Sequence, residues 1–282
     1  MTILQKFQTK TKNKTAKIGI GLGDLEESNR NIVNTTINFL KNNKSHIFFV
    51  GNPSTINLIS KILPNNTYIH LIESLNPEKK VFELFDNNEI SSFIRGSFSS
   101  SKFLDNLKTH HDLKEINRLA LLETSKGYQF FFGPVGIDEC NNLNKKLNFI
   151  RLALKELESL NITPKISILS GGRENDKGRN TIVDKTIQDA ISIVDTLKKQ
   201  YPGLDISHDE ILIENAITTK SNLIIAPDGV SGNLIYRTLV HLGGGKAYGA
   251  IYMGLKKTII DTSRVGEISE IQGALLLALA LT

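Results

Sequence analysis

The stretch Asn222-Leu-Ile-Ile-Ala-Pro-Asp-Gly-Val-Ser-Gly-Asn233 joins an apolar run to a sharp turn and then to the start of a helix. Residues 222–226 have the length and apolar character of a buried strand. A proline and two glycines make the turn, and Ser231 or Asn233 is suited to cap a helix that we expect to span 231–241. A strand, a tight turn and a helix form the repeating unit of α/β proteins.

Short apolar runs alternate with amphipathic segments in both directions from this stretch. The predicted strands are 16–22, 46–50, 68–72, 92–94, 119–122, 129–132, 165–169, 222–226, 250–253 and 258–261. The predicted helices are 31–42, one starting at 52–53, 141–160, 181–199, 231–241 and 267–279. A hairpin is expected at Ser125-Lys-Gly127, and elsewhere the alternation predicts parallel sheets covered by helices. Ligands bind such sheets beyond the carboxyl ends of the strands, so the loops there are the candidate sites.

Composition favours an ordinary globular protein with one large or two modest domains, since the chain has 282 residues, 40% of them hydrophobic and 22% charged. The net charge of +5 comes partly from a lysine-rich leader between Lys6 and Lys17, which we interpret as a solvated tail or the approach to the first strand. Acidic and basic residues interleave elsewhere, so we expect no nucleic-acid partner.

Targeting and membrane segments are not expected. The first residues are polar and basic, and the longest apolar run, Ala274–Leu281, is far shorter than the roughly 20 residues of a membrane span. We therefore predict a soluble, cytoplasmic protein. A single cysteine, Cys140, excludes an internal disulfide and a thiolate metal cluster.

Alternating glycines in Gly19-Ile-Gly21-Leu-Gly23 lack the spacing of a dinucleotide fingerprint. We interpret them as positions of close backbone approach. The clusters 110–112 and 208–210 combine His with acidic residues, but neither has helical ligand spacing. Both are predicted to lie at the surface, and no metal site is expected.

The loop Ser170-Gly-Gly-Arg-Glu-Asn-Asp-Lys-Gly-Arg179 follows a strand and enters a helix. Backbone amides and cations in such a loop suit a phosphate or pyrophosphate group. The candidate anion-binding residues are Ser170, Gly171, Gly172, Arg173 and Lys177. A flexible solvated loop is the alternative.

The segment Asp261-Thr-Ser-Arg-Val-Gly266 ends a strand before the terminal helix. Ser263 offers a hydroxyl donor and Arg264 a guanidinium to an anionic transition state. Glu270, early in the helix, is a candidate acid/base group; its alternative role is compensation of the helix dipole.

Three C-terminal motifs resemble the phosphate acetyl- and butyryltransferase superfamily. They are the stretch at 222–237, the glycine-rich Leu242-Gly-Gly-Gly-Lys-Ala-Tyr-Gly-Ala-Ile-Tyr-Met-Gly-Leu255, and Lys257-Thr-Ile-Ile-Asp-Thr-Ser-Arg264. Upstream, Phe93-Ile-Arg-Gly-Ser-Phe-Ser-Ser-Ser101 resembles the Ser-Gly-Ala loop of the family. Within the superfamily the chain looks most like the methanogenesis marker protein 4 group, which is labelled methyltransferase-related (MtxX-like).

The resemblance implies an isocitrate/isopropylmalate dehydrogenase-like fold of two α/β domains, 1–134 with 256–282 and 135–255, around an active-site cleft. It also implies a homodimer. Ser263 and Arg264 correspond to the active-site pair of the family, and Glu270 replaces an Asp thought to be the base. The matching loops add these candidate substrate-binding residues: Gly96, Ser97, Ser99, Asp228, Gly232 and Asn233.

Departures from the family pattern weaken the expectation of ordinary coenzyme A binding. The basic segment before the Ser-Gly-Ala loop is missing, and a second Arg of the family falls near Asn106. The main hypothesis is a transferase acting on a small anionic acyl, phosphoryl or one-carbon carrier substrate. The alternative is a non-catalytic or methyltransferase-associated subunit of a methanogenesis methyltransferase complex. No cofactor is assigned, and a corrinoid or pterin carrier stays open.

Overall fold

A computed structural model describes residues 1–264 and 267–282. The strands are β1 (Lys17–Leu22), β2 (His46–Gly51), β3 (Ile69–Glu73), β4 (Ser92–Ile94), β5 (Arg118–Glu123), β6 (Gln129–Gly133), β7 (Lys165–Leu169), β8 (Asp205–Glu210), β9 (Leu223–Ile225), β10 (Lys246–Tyr252) and β11 (Thr258–Asp261). The α-helices are α1 (Ile3–Thr11), α2 (Glu26–Leu40), α3 (Pro53–Ser60), α4 (Pro77–Asp86), α5 (Ser100–His111), α6 (Leu143–Ser159), α7 (Thr181–Gln200), α8 (Ile213–Thr218), α9 (Gly229–His241) and α10 (Ile268–Leu281).

Contacts within the chain define two compact units, one of residues Met1–Ile116 with Ala247–Thr282 and one of Asn117–Lys246. The domain boundaries expected from the sequence, at 134/135 and 255/256, stay a prediction. Both units are built from helices and mostly parallel strands, which confirms the predicted α/β class. None of the helices in residues 1–264 and 267–282 is long and apolar enough to cross a membrane.

In the first unit the strands follow the order β3-β2-β1-β4-β11-β10. All neighbouring pairs from β3 to β11 are parallel, and β10 runs antiparallel to β11. Phe93, Phe98 and Phe103 pack in an apolar cluster between the sheet, α4 and α5, with ring centroids 5.6–6.5 Å apart. The carboxyl ends of five parallel strands therefore lie side by side at one edge of this sheet.

In the second unit the order is β5-β6-β9-β7-β8. β5 and β6 form the predicted hairpin, with Gly127 in the turn at a φ of +81°. The remaining neighbours are parallel, and α7 packs on β7 and β8. Asn142 and Asn180 cap α6 and α7 by accepting hydrogen bonds from backbone amides of the first turn.

The lysine-rich leader was predicted as a solvated tail or strand approach, and its first half, up to Thr11, instead belongs to the helix α1. Thr2 and Gln5 form a reciprocal capping box at its start. Ile3 and Phe7 are buried, and α1 packs against α10. Lys6 and Lys10 lie in this amphipathic helix, which is why charge alone gave the wrong interpretation of this part of the leader.

Several other elements were not predicted. α5 carries few apolar residues, and only Phe103 and Leu107 are buried in it. α4 is short, but its apolar residues Val81, Phe82, Leu84 and Phe85 are all buried, so its amphipathic pattern was present in the sequence and was overlooked. β8 has the polar sequence DISHDE and is recognised only through its parallel pairing with β7. Tertiary contacts decide the structure of α5 and β8.

Candidate functional site

A pocket of about 380 Å³ lies at the carboxyl edge of the sheet in the first unit. Its walls come from the segments that follow β1, β2, β3, β4 and β11. The polar and charged lining residues are Asp24, Asn52, Asn76, Glu78, Lys79, Ser99, Lys102, Asp105, Asn106 and Arg264. The pocket therefore brings together Ser99 and Arg264, two of the residues nominated from the sequence.

Three cations line this pocket, namely Lys79, Lys102 and Arg264. None of them has an ion-pair partner among residues 1–264 and 267–282. Ser99 stands at the N-cap of α5, and its side chain does not cap the helix. The first-turn amides of α5 thus add partial positive charge to the lysine and arginine side chains.

The turn after β4 is held by Arg95, whose guanidinium is buried. It forms an ion pair with Asp261 and donates hydrogen bonds to the carbonyls of Phe98 and Thr262. Thr262 in turn donates from its hydroxyl to the carbonyl of Gly96 at 3.0 Å. This network fixes the loop that carries Ser99 against the loop that carries Arg264.

Gly96 and Ser97 serve this turn rather than the pocket surface. Gly96 has a φ of +61°, and a Cβ there would lie 2.1 Å from the Gly21 carbonyl oxygen. Ser97 is buried, donates to Asn29 and accepts from the Gly23 amide at 2.8 Å. Their nomination as binding residues stays a prediction, and the contacts that they make are structural.

The alternating glycines of β1 are places of close approach, as predicted. A Cβ on Gly21 would lie 2.5 Å from the Arg95 carbonyl oxygen, and one on Gly23 would lie 2.4 Å from that of Ser97. Side chains at these positions would push the β4 turn away from β1.

Ser263 and Arg264 follow β11, and Glu270 lies in the first turn of α10. The backbone N–H of Ser263 donates to Oε1 of Glu270 at 2.9 Å. Val265 and Gly266, which belong to the loop predicted from the sequence, lie outside the described residues. Glu270 thus holds the segment that presents Arg264 to the pocket.

The Glu270 carboxyl is buried, and burial raises its pKa to about 7. The neighbouring carboxylate of Asp261 acts in the same direction, whereas the Ser263 N–H and Arg95 favour the ionised form. A carboxyl with a pKa close to 7 can both accept and release a proton near neutral pH.

The glycine-rich loop of the second unit uses its backbone amides internally. Gly171 N–H donates to Thr186 Oγ1 at 2.8 Å, and Arg173 N–H donates to Asp176 at 2.9 Å. Both oxygens of Asp184 accept from Gly178 N–H, at 3.0 and 3.1 Å. Acceptors within the loop and the following helix therefore occupy amides that an anion would need, and the anion role of Gly171, Gly172, Arg173 and Lys177 stays a prediction.

Ser170 and His208 meet at the start of this loop, where Ser170 Oγ lies 2.8 Å from His208 Nε2. Ser170 also donates to the carbonyl of Gly172 at 2.8 Å. The His208 side chain is only 9% exposed, and burial lowers its pKa. The prediction of a surface residue was wrong for His208, because β8 places it beneath the loop. Among the described residues, no His/Cys/Asp/Glu group fits a metal ion.

Asp228, Gly232 and Asn233 support the turn between β9 and α9. Asp228 is the N-cap residue and accepts from the Ser231 amide at 2.8 Å, so the helix starts two residues earlier than predicted. Asn233 donates to the carbonyl of Val135 at 2.8 Å. A Cβ on Gly232 would lie 1.9 Å from the Pro134 carbonyl oxygen. Their contacts are structural, and their role in binding stays a prediction.

Lys79 and Lys102 line the pocket and were not predicted from the sequence. The basic segment of the family is missing here, and neutral Asn106 falls near the position of a second Arg. Lys102 lies one helical turn before Asn106, and both line the pocket. Both lysines follow a strand end, Lys79 after β3 and Lys102 after β4, and this position could have marked them as candidate pocket residues. They were overlooked because α4 and α5 were not predicted as helices.

A family model described as phosphate acetyl/butaryl transferase matches residues 71–279. A protein of Methanosarcina mazei named "Putative methyltransferase mtx subunit X" is 35% identical over 280 residues, covering 99% of this chain and 95% of the relative. A protein of the same name from Methanosarcina barkeri is 42% identical over 216 residues, covering 77% of this chain and 78% of the relative.

Among solved structures, the branched-chain phosphotransacylase of Enterococcus faecalis superposes with a TM-score of 0.70 at 13% identity. The match covers 94% of this chain and 99% of that one. At this identity the similarity shows the fold alone, and it agrees with the fold class predicted from the sequence. Because the family model covers most of the chain and a relative matches it almost from end to end, the chain belongs to the phosphate acetyl/butaryl transferase family, together with the relatives named mtx subunit X.

Proposed function

We propose that this protein is a transferase that binds the anionic group of a small acyl, phosphoryl or one-carbon carrier substrate in the pocket of the first unit. The observation that carries the proposal is the convergence of Ser99, Lys102 and Arg264 on one pocket at the carboxyl edge of the sheet. Membership in the phosphate acetyl/butaryl transferase family supports a group-transfer reaction.

The roles of the residues follow from charge and position. Arg264 and Lys102 would neutralise a phosphate or carboxylate, and the first turn of α5 would add backbone donors. Ser263 is the predicted hydroxyl donor to the oxygen on which charge develops. Glu270, whose pKa burial raises to about 7, would accept the proton of the nucleophile as the nucleophile bonds to the transferred acyl group and the bond between that group and the leaving phosphate breaks.

Coenzyme A fits the pocket lining poorly. Glu78, Asp105 and Asp24 contribute as many carboxylates as there are cations, so the lining offers little net positive charge to a polyanion. We therefore propose that the acceptor or donor in this protein carries fewer negative charges than coenzyme A.

Acetonylphosphonate, the stable analogue of acetyl phosphate in which CH2 replaces the bridging oxygen, tests the proposal by isothermal titration calorimetry. Arg264→Ala should weaken binding by about 10- to 100-fold, since a hydrogen bond to a charged group contributes roughly 1.5–3 kcal/mol. Arg264→Lys should retain part of the affinity. Arg237→Ala, at an exposed arginine of α9, is the matched control. Equal affinity of wild type and Arg264→Ala for this probe and for inorganic phosphate would contradict the proposal.

A second candidate is a methyltransferase-associated subunit without its own catalytic activity, and the printed name of the Methanosarcina relatives favours it. Purification of the tagged protein from its native cells distinguishes the two functions. A stoichiometric methyltransferase partner, together with no ligand binding in the pocket, would support the subunit. A corrinoid or pterin on that partner would be its one-carbon carrier.

A further inference from the structure

We infer that the ligand of this pocket carries a cationic group, such as a primary ammonium, in addition to its anionic group, and that Asp24 binds the cation. The inference rests on the proposed function, because the anionic end of the ligand is placed on Ser99, Lys102 and Arg264. The inference adds that the other end of this ligand is positively charged.

The first observation is the balance of charge around the pocket. Its lining holds three cations, Lys79, Lys102 and Arg264, and the same number of carboxylates. A pocket built only for phosphate or carboxylate would gain nothing from carboxylates in its walls, because each one repels the ligand. A ligand that also carries a positive charge would be attracted by these carboxylates and would bind more tightly.

The second observation is where the charges lie along the sheet edge. Arg264 follows β11, Ser99 and Lys102 follow β4, and Asp24 follows β1. In the order β1-β4-β11, Asp24 is two strands away from Arg264. Neighbouring strands are about 4.8 Å apart, so the two strand ends are separated by about 10 Å. An ammonium and a phosphonate joined by two to four carbons can reach both ends through their side chains.

The third observation is the setting of the Asp24 carboxylate. Its Oδ1 accepts a hydrogen bond from Asn52 Nδ2 at 3.2 Å. Asn52 is itself fixed, because it caps α3 by accepting from the Thr55 amide at 2.8 Å. Asp24 has no cationic partner within residues 1–264 and 267–282. Asp24 is exposed, its carboxylate is held on one side by Asn52, and no cation among the described residues pairs with it.

A purely structural role for Asp24 is less well supported. An acidic residue before a helix can stabilise the helix dipole, and α2 begins just after Asp24. Glu26 and Glu27 already occupy the first turn of α2. Compensation of the dipole therefore does not require a third carboxylate, and Asp24 remains available to a ligand.

Matched pairs of phosphonates test the inference with the full-length protein. The probes are 2-aminoethyl-, 3-aminopropyl- and 4-aminobutylphosphonate, each compared with the alkylphosphonate of the same length, by titration calorimetry at pH 7. We expect at least one amine to bind about tenfold more tightly than its partner, the scale of a charge-assisted hydrogen bond. Asp24→Asn should reduce this ratio to about twofold or less, and Asp105→Asn should preserve it.

Each outcome separates the two proposals. If no phosphonate of either kind binds, the proposed function fails. If phosphonates bind but amine and alkyl partners have equal affinity at every length, the proposed function stands and the inference is overturned. If Asp105→Asn abolishes the ratio and Asp24→Asn does not, the assignment to Asp24 is overturned. Unchanged thermal unfolding of both variants establishes that the ratios compare folded proteins.

Discussion

Glu270 shows how a single buried carboxyl links the candidate site to the stability of the protein. It accepts from the Ser263 amide and lies in the electrostatic field of Arg95 and Asp261. Its raised pKa means that folding favours the protonated form. The same group that is suited to proton transfer is therefore costly to the fold when it is ionised.

The first prediction concerns the pH dependence of this cost. The pKa of Glu270 is about 7 in the folded protein and close to 4.5 in the unfolded chain. Its contribution to stability is therefore fully present below pH 4.5 and is lost as the pH rises through about 7. Glu270→Gln keeps an acceptor for the Ser263 amide without the charge. The stability of the variant relative to wild type should rise between pH 5 and pH 8, by at most roughly 3 kcal/mol.

Urea unfolding of both proteins at pH 5, 6, 7 and 8 measures this difference. Glu158→Gln, at an exposed residue of α6, is the control, and its stability relative to wild type should change less between pH 5 and pH 8. Parallel stability curves for wild type and Glu270→Gln would contradict the assigned protonation of Glu270.

The second prediction concerns Gly21 in β1. A methyl group there would lie 2.5 Å from the Arg95 carbonyl oxygen and 2.6 Å from the Phe98 ring. We expect Gly21→Ala to lower the free energy of unfolding by about 1–3 kcal/mol, as overpacking does elsewhere. It should also weaken phosphonate binding, because the β4 turn carries Ser99. Denaturant unfolding and calorimetry measure the two effects, with Asn34→Ala on the exposed face of α2 as control.

At the scale of elements, α1 shows that a basic leader can be part of the core. Ile3, Phe7 and Thr11 are buried, and α1 packs against α10. α10 is buried on nearly every side from Glu270 to Ala280. This burial explains why its sequence is almost entirely apolar.

The third prediction tests this role of α1. Phe7 has an exposed fraction of 0%, and Phe7→Ala should lower the free energy of unfolding by about 3–5 kcal/mol. Lys6→Ala, at the exposed neighbour, should change it by less than about 0.5 kcal/mol. Thermal and urea unfolding give both values. Similar small effects for the two variants would mean that α1 does not contribute to the stability of the first unit.

For elements with strong apolar periodicity, most of the predicted ends lie within three residues of the observed ends. β4 and β7 have the predicted bounds, and α7 extends one residue beyond its predicted end. α5 and β8 were missed because their sequences are mostly polar and depend on packing partners. α4 was missed although its four apolar residues are all buried. Since α4 and α5 supply two of the three pocket cations, this failure hid part of the site.

At the scale of the whole molecule, exposed apolar side chains bear on the predicted homodimer. On α9, Val230 and Leu234 are four residues apart and 55% and 61% exposed, and Leu242 just after the helix is 84% exposed. Residues four apart share one face of a helix. This part of the second unit is the surface that we propose for the contact between two copies.

The fourth prediction follows from this surface. Light scattering after size exclusion should give twice the 31.3 kDa mass of one chain. Leu234→Glu should shift the protein to the monomer, because a charge in an apolar contact costs several kcal/mol. Ile62→Glu, at an exposed apolar residue of the first unit, should leave the mass unchanged. A monomeric wild type, or a dimer that survives Leu234→Glu, would contradict this assignment.

The sequence by itself determined the α/β class, most of the strands, the family, and Ser263 and Arg264 as the residues to examine. These follow from local periodicity and from motifs that are contiguous in the chain. The tertiary structure alone decided that Ser99, Lys102 and Arg264 share a pocket with Asp24, and that the amides of Gly171 and Arg173 in the glycine-rich loop are already occupied. The physical reason is that strand order places residues distant in sequence at one sheet edge, and burial then sets properties such as the pKa of Glu270.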